Sequence, residues 1–179
     1  TEEDAAKALT LFRKQQLNQS WEVLPGVRAT LLEAGHILGS AMVVLDIDEG
    51  GRQRRLAFSG DIGRYGLPIL RDPTMLSDVD HVIMESTYGT RNHRPPEEAS
   101  AEFAVVAKET LGRGGKIIVP AFAVGRAQEI VYVLQKLIGA GEIPAVPVFV
   151  DSPLAVDVST VFKRHAELFD EETARLLRT

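Results

Sequence analysis

LLEAGHILGSAMVVLDI, residues 31–47, sets His36 between Gly35 and Gly39-Ser40 in the middle of an apolar stretch. TLLEA before the interruption and AMVVLDI after it are rich in the branched residues that favour strands. A hairpin needs only its turn residues, so the imidazole has to be explained separately. Working outward, the stretches 21–24 (WEVL), 27–34 (VRATLLEA), 41–48 (AMVVLDID) and 54–60 (RRLAFSG) read as strands. Pro25-Gly26 and Glu49-Gly50-Gly51 separate them as turns, so this half of the chain predicts an antiparallel meander.

Before the meander, TEEDAAKALTLFRKQQ predicts a helix with Thr1 as cap, acidic residues in its first turn, and an apolar stripe of Ala5, Ala8, Leu9, Leu11 and Phe12. After Asp61 a loop rich in glycine and proline leads to HVIMES (81–86), which reads as a buried strand. Beyond Gly89 the pattern changes to PEEASAEFAVVAKETL, GKIIVPAF, GRAQEIVYVLQKLIGAG and VPVFVDSP. Helices alternating with strands predict a parallel sheet with crossover helices. The tail SPLAVDVSTVFKRHAELFDEETARLLRT predicts one or two further helices, Ser152-Pro153 supplying a cap and a first-turn proline. The chain is therefore α/β, with two architectures joined near residue 90.

Composition sets the outer limits. In 179 residues, 45% hydrophobic and 25% charged, there is enough apolar surface for a core. No run approaches the roughly 18 apolar residues of a membrane span, so no membrane partner is expected. The absence of cysteine excludes a disulfide framework and limits any metal site to His and carboxylate ligands; a cytoplasmic location is the expectation. A formal net charge of −5 argues against a broadly basic nucleic-acid surface, though not against a local channel.

His36, Asp61 in AFSGDIG and Glu85 in VIMESTYG each follow a strand. They are too far apart in sequence to meet unless a sheet gathers their strand ends, the usual place for ligands and catalytic groups in α/β architectures. Gly35, Gly39, Gly60 and Gly63 would remove bulk around them and let a cation approach. Imidazole nitrogen and carboxylate oxygen suit zinc. Taken singly, each residue has a plainer reading as a turn or cap residue.

Together, A-G-H-I-L-G-S, F-S-G-D-I-G, E-S-T-Y-G and V-P-A-F-A-V-G-R-A-Q-E resemble the metallo-β-lactamase superfamily, specifically its β-CASP branch of RNA-processing nucleases. The likeness runs from the opening helix to the D-S-P-L-A turn. It implies part of an αββα metallo-β-lactamase sandwich over 1–90, followed by part of a β-CASP domain over 91–179. His36 then resembles a zinc ligand, and Asp61 a carboxylate bridging two Zn2+ ions. Glu85 resembles the acidic residue of motif A, paired with a later histidine that acts as general acid. The implied activity is two-metal hydrolysis of RNA, with catalytic Asp61 and Glu85. Ser86, Thr87 and Arg126 are candidate phosphate contacts; Arg126 has the plainer alternative of pairing with an acid at a helix start.

The family's H-x-H-x-D-H run is missing from the four histidines at 36, 81, 93 and 165, and His81, His93 and His165 read as structural or surface residues. Retained His36, Asp61 and Glu85, with a first residue other than Met, lead to the expectation of an internal fragment rather than a degenerate homologue. Such a chain should bind zinc weakly and cleave nothing alone, and its uncovered apolar surface invites self-association as a homodimer. Three other functions remain open: a non-catalytic β-CASP scaffold or RNA-binding homologue, a small-molecule hydrolase of the superfamily, and a DNA nuclease.

Overall fold

The computed structural model describes residues 1–176. Strands β1 (Ser20–Leu24), β2 (Val27–Glu33), β3 (Ala41–Glu49) and β4 (Arg52–Phe58) form the expected meander. Each pairs antiparallel with the next, in registers such as Leu31↔Val43 and Val43↔Phe58. A short β5 (His81–Ile83) then adds parallel to β4, with Leu56 opposite His81 and Phe58 opposite Ile83. The sheet is thus five strands in sequence order with one parallel pair. Ala29, Met42, Val44 and Ala57 are its buried residues, and Ser59, one step past β4, is buried with them.

Strand direction is what positions the site. β2 and β4 are both antiparallel to β3, so they run the same way, and β5 runs with β4. The C-terminal ends of β2, β4 and β5 therefore lie along one edge, and those ends lead into His36, Asp61 and Glu85.

The helix starts match their sequence signals, but the opening helix stops at Leu9, so 10–16, with Leu11 and Phe12 of the expected stripe, lie beyond it. α1 (Glu2–Leu9) starts at a Thr1/Asp4 capping box and buries none of its residues; Leu9 at its end and Leu11 and Phe12 beyond it are exposed. α2 (Pro96–Gly112) and α3 (Arg126–Gly139) enclose Ala104, Ala107 and Leu137, joined by Ile143. α4 (Pro153–Arg164) is capped by the Ser152 hydroxyl, which accepts from Ala155 N at 3.2 Å. A 3-10 turn (Ala166–Leu168) and α5 (Glu171–Leu176) complete the described tail; residues 177–179 of the predicted tail lie outside the described residues. Phe162 and Phe169 pack on Ile69, tying α4 to the loop before β5. Among the described residues no helix is long and apolar enough to cross a membrane.

Two expectations are corrected. The parallel sheet predicted beyond residue 90 does not form among the described residues: 116–120 and 146–150 belong to no strand. A parallel strand needs a neighbour brought from far along the chain; these runs have none, and Ile118 and Phe149 are 91% and 87% exposed. Likewise β5 is exposed, not buried, because it stands at the sheet edge with β4 as its single partner.

Candidate functional site

The loop after β2 is built by its own side chains. Glu33 Oε1 accepts from Gly35 N at 2.8 Å, and Ser40 Oγ accepts from His36 N at 3.1 Å and Ile37 N at 3.2 Å. Ser40 N donates to Ile37 O at 2.9 Å, which closes the turn. His36 is left exposed at the tip, its backbone fixed by the serine hydroxyl.

The loop after β4 is locked onto this turn. Gly63 N donates to Ala34 O at 2.8 Å, and a Cβ on Gly63 would stand 1.8 Å from Gly35 O and 2.8 Å from His36 N. Gly35, with φ +63, is closed in from the other side by Arg71 O and Pro73. These two glycines therefore permit backbone-to-backbone contact between loops. That corrects the expectation that all four glycines clear space for a cation; around Gly39 and Gly60 the space is open or ordinary.

With the loops locked, His36 Nε2 lies 4.0 Å from Asp61 Oδ2. Glu85 joins them through the backbone: its Oε1 accepts from Ile62 N at 2.7 Å, and its own N donates to Ser59 Oγ at 3.1 Å. Thr87 Oγ1 donates to Glu85 Oε2 at 2.6 Å. The Thr87 hydroxyl, followed by the Ile62 amide, holds the Glu85 carboxyl below its ordinary range, because both donors stabilise the charged form. Glu85 is thus an ionised carboxylate with both oxygens engaged.

The structure brings His36, Asp61 and Glu85 to one edge, with Thr87 attached through Glu85. Ser86 is exposed, and its carbonyl closes a turn with Gly89 N at 3.0 Å. Arg126 takes the plainer alternative and pairs with Glu129 at 2.8 Å. The pair borders a cleft of about 950 Å³ whose lining includes Arg64, Tyr132 and Lys136 but none of His36, Asp61 and Glu85. The turn before Arg126 does approach the site, since a Cβ on Gly125 would lie 3.2 Å from Ile37 Cγ2. His81 is an exposed strand residue, His93 packs edge-on against Tyr88, and His165 Nδ1 contacts Glu167 at 2.9 Å.

As a metal site the arrangement is partial. An exposed imidazole nitrogen and carboxylate oxygen stand 4.0 Å apart, and a side-chain rotation closing them to about 3.3 Å would give two ligand positions of one tetrahedral divalent ion. No group of three metal-ligating side chains occurs among the described residues. The residue that sequence reasoning missed is Ser59, which is 1% exposed and bonded to Glu85. S-G-D shows a small hydroxyl one step past a strand and two before the carboxylate, but its bond to Glu85 depends on β5 lying parallel to β4.

Residues 127–178 match the Beta-Casp domain model. The chain is 39% identical over 170 residues to Ribonuclease TTHA0252 of Thermus thermophilus, covering 95% of this chain and 38% of that protein. It is 36% identical over 160 residues to Transcription termination factor FttA of Methanosarcina mazei (87% and 24%). It is also 30% identical over 188 residues to Endoribonuclease YSH1 of Eremothecium gossypii (99% and 23%). The chain thus spans well under half the length of these relatives. With a Beta-Casp segment at one end and nuclease relatives aligned along nearly all of its length, the chain belongs to the β-CASP family.

Proposed function

We propose that the chain is a portion of a zinc-dependent ribonuclease. On this reading 1–90 contributes the C-terminal part of a metallo-β-lactamase domain, and 91–179 the N-terminal part of the β-CASP domain. The observation that carries it is the meeting of His36 and Asp61 at 4.0 Å on a strand-end edge, with Glu85 bonded to the residue after Asp61. The ribonuclease and endoribonuclease relatives support RNA as substrate.

His36 and Asp61 are two ligands, and the rest come from sequence beyond this chain. Bound zinc would supply charge neutralisation and a nucleophile at neutral pH for phosphodiester hydrolysis. His36 presents a ring nitrogen from a tip fixed by Ser40. Asp61 would present a carboxylate to the metal, and Asn, of the same shape, would lack its negative charge and its second oxygen. Ionised Glu85 fixes the Asp61 turn through Ile62 N and holds the Thr87 hydroxyl. Arg126 already pairs with the partly buried Glu129 through Nη1, so a phosphate would have to share its guanidinium with that carboxylate.

The test is cleavage of matched RNA and DNA by the full-length protein, with Asp61→Asn as control. RNA cleavage that falls at least a hundredfold in the variant is the result expected, on the order of what loss of a direct metal or transition-state contact costs. Equal cleavage by variant and wild type would refute the role given to Asp61.

A further inference from the structure

We infer that Ser59 is a positioning residue, whose hydroxyl clamps the Asp61 turn to Glu85 and so sets where the Asp61 carboxylate stands. Asp61 is exposed, and among the described residues its carboxylate accepts no hydrogen bond. What places it is therefore the backbone on either side. Ser59 N donates to Ile83 O at 2.9 Å, extending the parallel β4–β5 ladder one step past the strands. The Ser59 hydroxyl then uses both of its capacities: it donates to Gly60 O at 2.6 Å and accepts from Glu85 N at 3.1 Å. On the far side of Asp61, Ile62 N donates to Glu85 Oε1 at 2.7 Å. Residues 59 and 62 are thus both fastened to Glu85, and only Gly60 and Asp61 lie between the two fastenings.

Ser59 suits this task better than a neighbour could. It is 1% exposed, so no water competes for its hydroxyl. Alanine there would keep the packing but leave Glu85 N without its acceptor, so that only the backbone bond to Ile83 O would hold that side of the turn. Groups that orient a ligand from behind commonly alter metal affinity about ten- to a hundredfold when removed. The inference rests on the reading of Asp61 as a zinc ligand, and its test separates the two.

Zn2+ is titrated calorimetrically into the full-length protein, its Ser59→Ala variant and its Asp61→Asn variant. Metal-free melting and steady-state RNA cleavage are measured on the same samples. Ser59→Ala is expected to bind Zn2+ about tenfold or more weakly, and to lower kcat with little change in KM for RNA. Weak binding by Asp61→Asn with wild-type affinity in folded Ser59→Ala would overturn the clamp and leave the ligand reading standing. Wild-type affinity in Asp61→Asn would overturn the ligand reading and the clamp with it. Should Ser59→Ala fail to fold, amide hydrogen exchange in the wild-type protein decides: slow exchange at both Glu85 and Ile62 supports the clamp, and fast exchange at Glu85 overturns it.

Discussion

Replacing Gly63 by alanine puts a methyl group where two backbones already touch. The new Cβ would stand 1.8 Å from Gly35 O and 2.2 Å from Gly35 C. Neither atom belongs to a side chain that could turn away. To open the contact from 1.8 Å to even 3.0 Å, one loop must retreat by about 1.2 Å. The same retreat stretches the Gly63 N to Ala34 O bond from 2.8 Å beyond hydrogen-bonding reach. Forced overpacking costs about 1–3 kcal/mol, and the lost bond adds ~1 kcal/mol. A total of ~3 kcal/mol corresponds to a fall in Tm of roughly 6–12 °C for a chain of this size. Thermal melting by circular dichroism reads it directly. Gly112→Ala is the matched control: it sits at the end of α2 with nothing within 4 Å of its Cβ, and should stabilise by about 0.5 kcal/mol. A Gly63→Ala protein melting within about 1 °C of wild type would refute the locked-loop geometry.

Other expectations concern charge, capping and metal. Because the folded Glu85 carboxyl is held below its ordinary value of 4.5, its contribution is fully present above about that pH. It is lost as pH falls through the lowered value; Glu85→Gln should therefore flatten the acid limb of a stability–pH profile, and an unchanged limb would count against the Thr87 and Ile62 bonds. Ser152→Ala removes the acceptor for Ala155 N at the start of α4 and should cost ~1 kcal/mol in a denaturant titration. The 179-residue chain alone should bind zinc weakly and leave RNA uncut; tight stoichiometric binding by calorimetry would mean that His36 and Asp61 find further ligands within this chain.

What could be read from the sequence, and what could not, divides by range. Helix starts are local, so the Thr1 box and the Ser152-Pro153 cap were legible from a few residues each. The meander was legible for the same reason, since each antiparallel turn joins neighbours in sequence. His36, Asp61 and Glu85 were legible because three strand ends with polar residues make sense only if a sheet gathers them. Pairing beyond residue 90 was not. An apolar run such as 116–120 looks the same whether or not a distant strand lies beside it, and here none does among the described residues. The role of Ser59 was also hidden, because it depends on β5 lying parallel to β4, which no short motif encodes. Nor could composition tell glycines that admit another backbone, Gly35 and Gly63, from glycines beside open space.

That distinction bears on how the site keeps its shape. Even with the imidazole protonated, two exposed charges at the 4.0 Å between His36 and Asp61 attract by only about 1 kcal/mol in water. Salt weakens this further. Such an attraction cannot align two side chains against their rotational freedom. The alignment comes instead from the backbone: Gly63 against Gly35, the Ser40 hydroxyl under His36, and Ser59 and Ile62 fastened to Glu85. None of these contacts uses the imidazole of His36 or the carboxylate of Asp61. Both groups stay hydrated and available, so the fold avoids the cost of burying an unpaired charge. On the proposed reading, an ion would then meet ligands whose backbone positions were set before it arrived, leaving only side-chain rotation to be fixed on binding. This is why substitutions at Ser59 and Gly63, which touch no metal, are expected to act on metal binding.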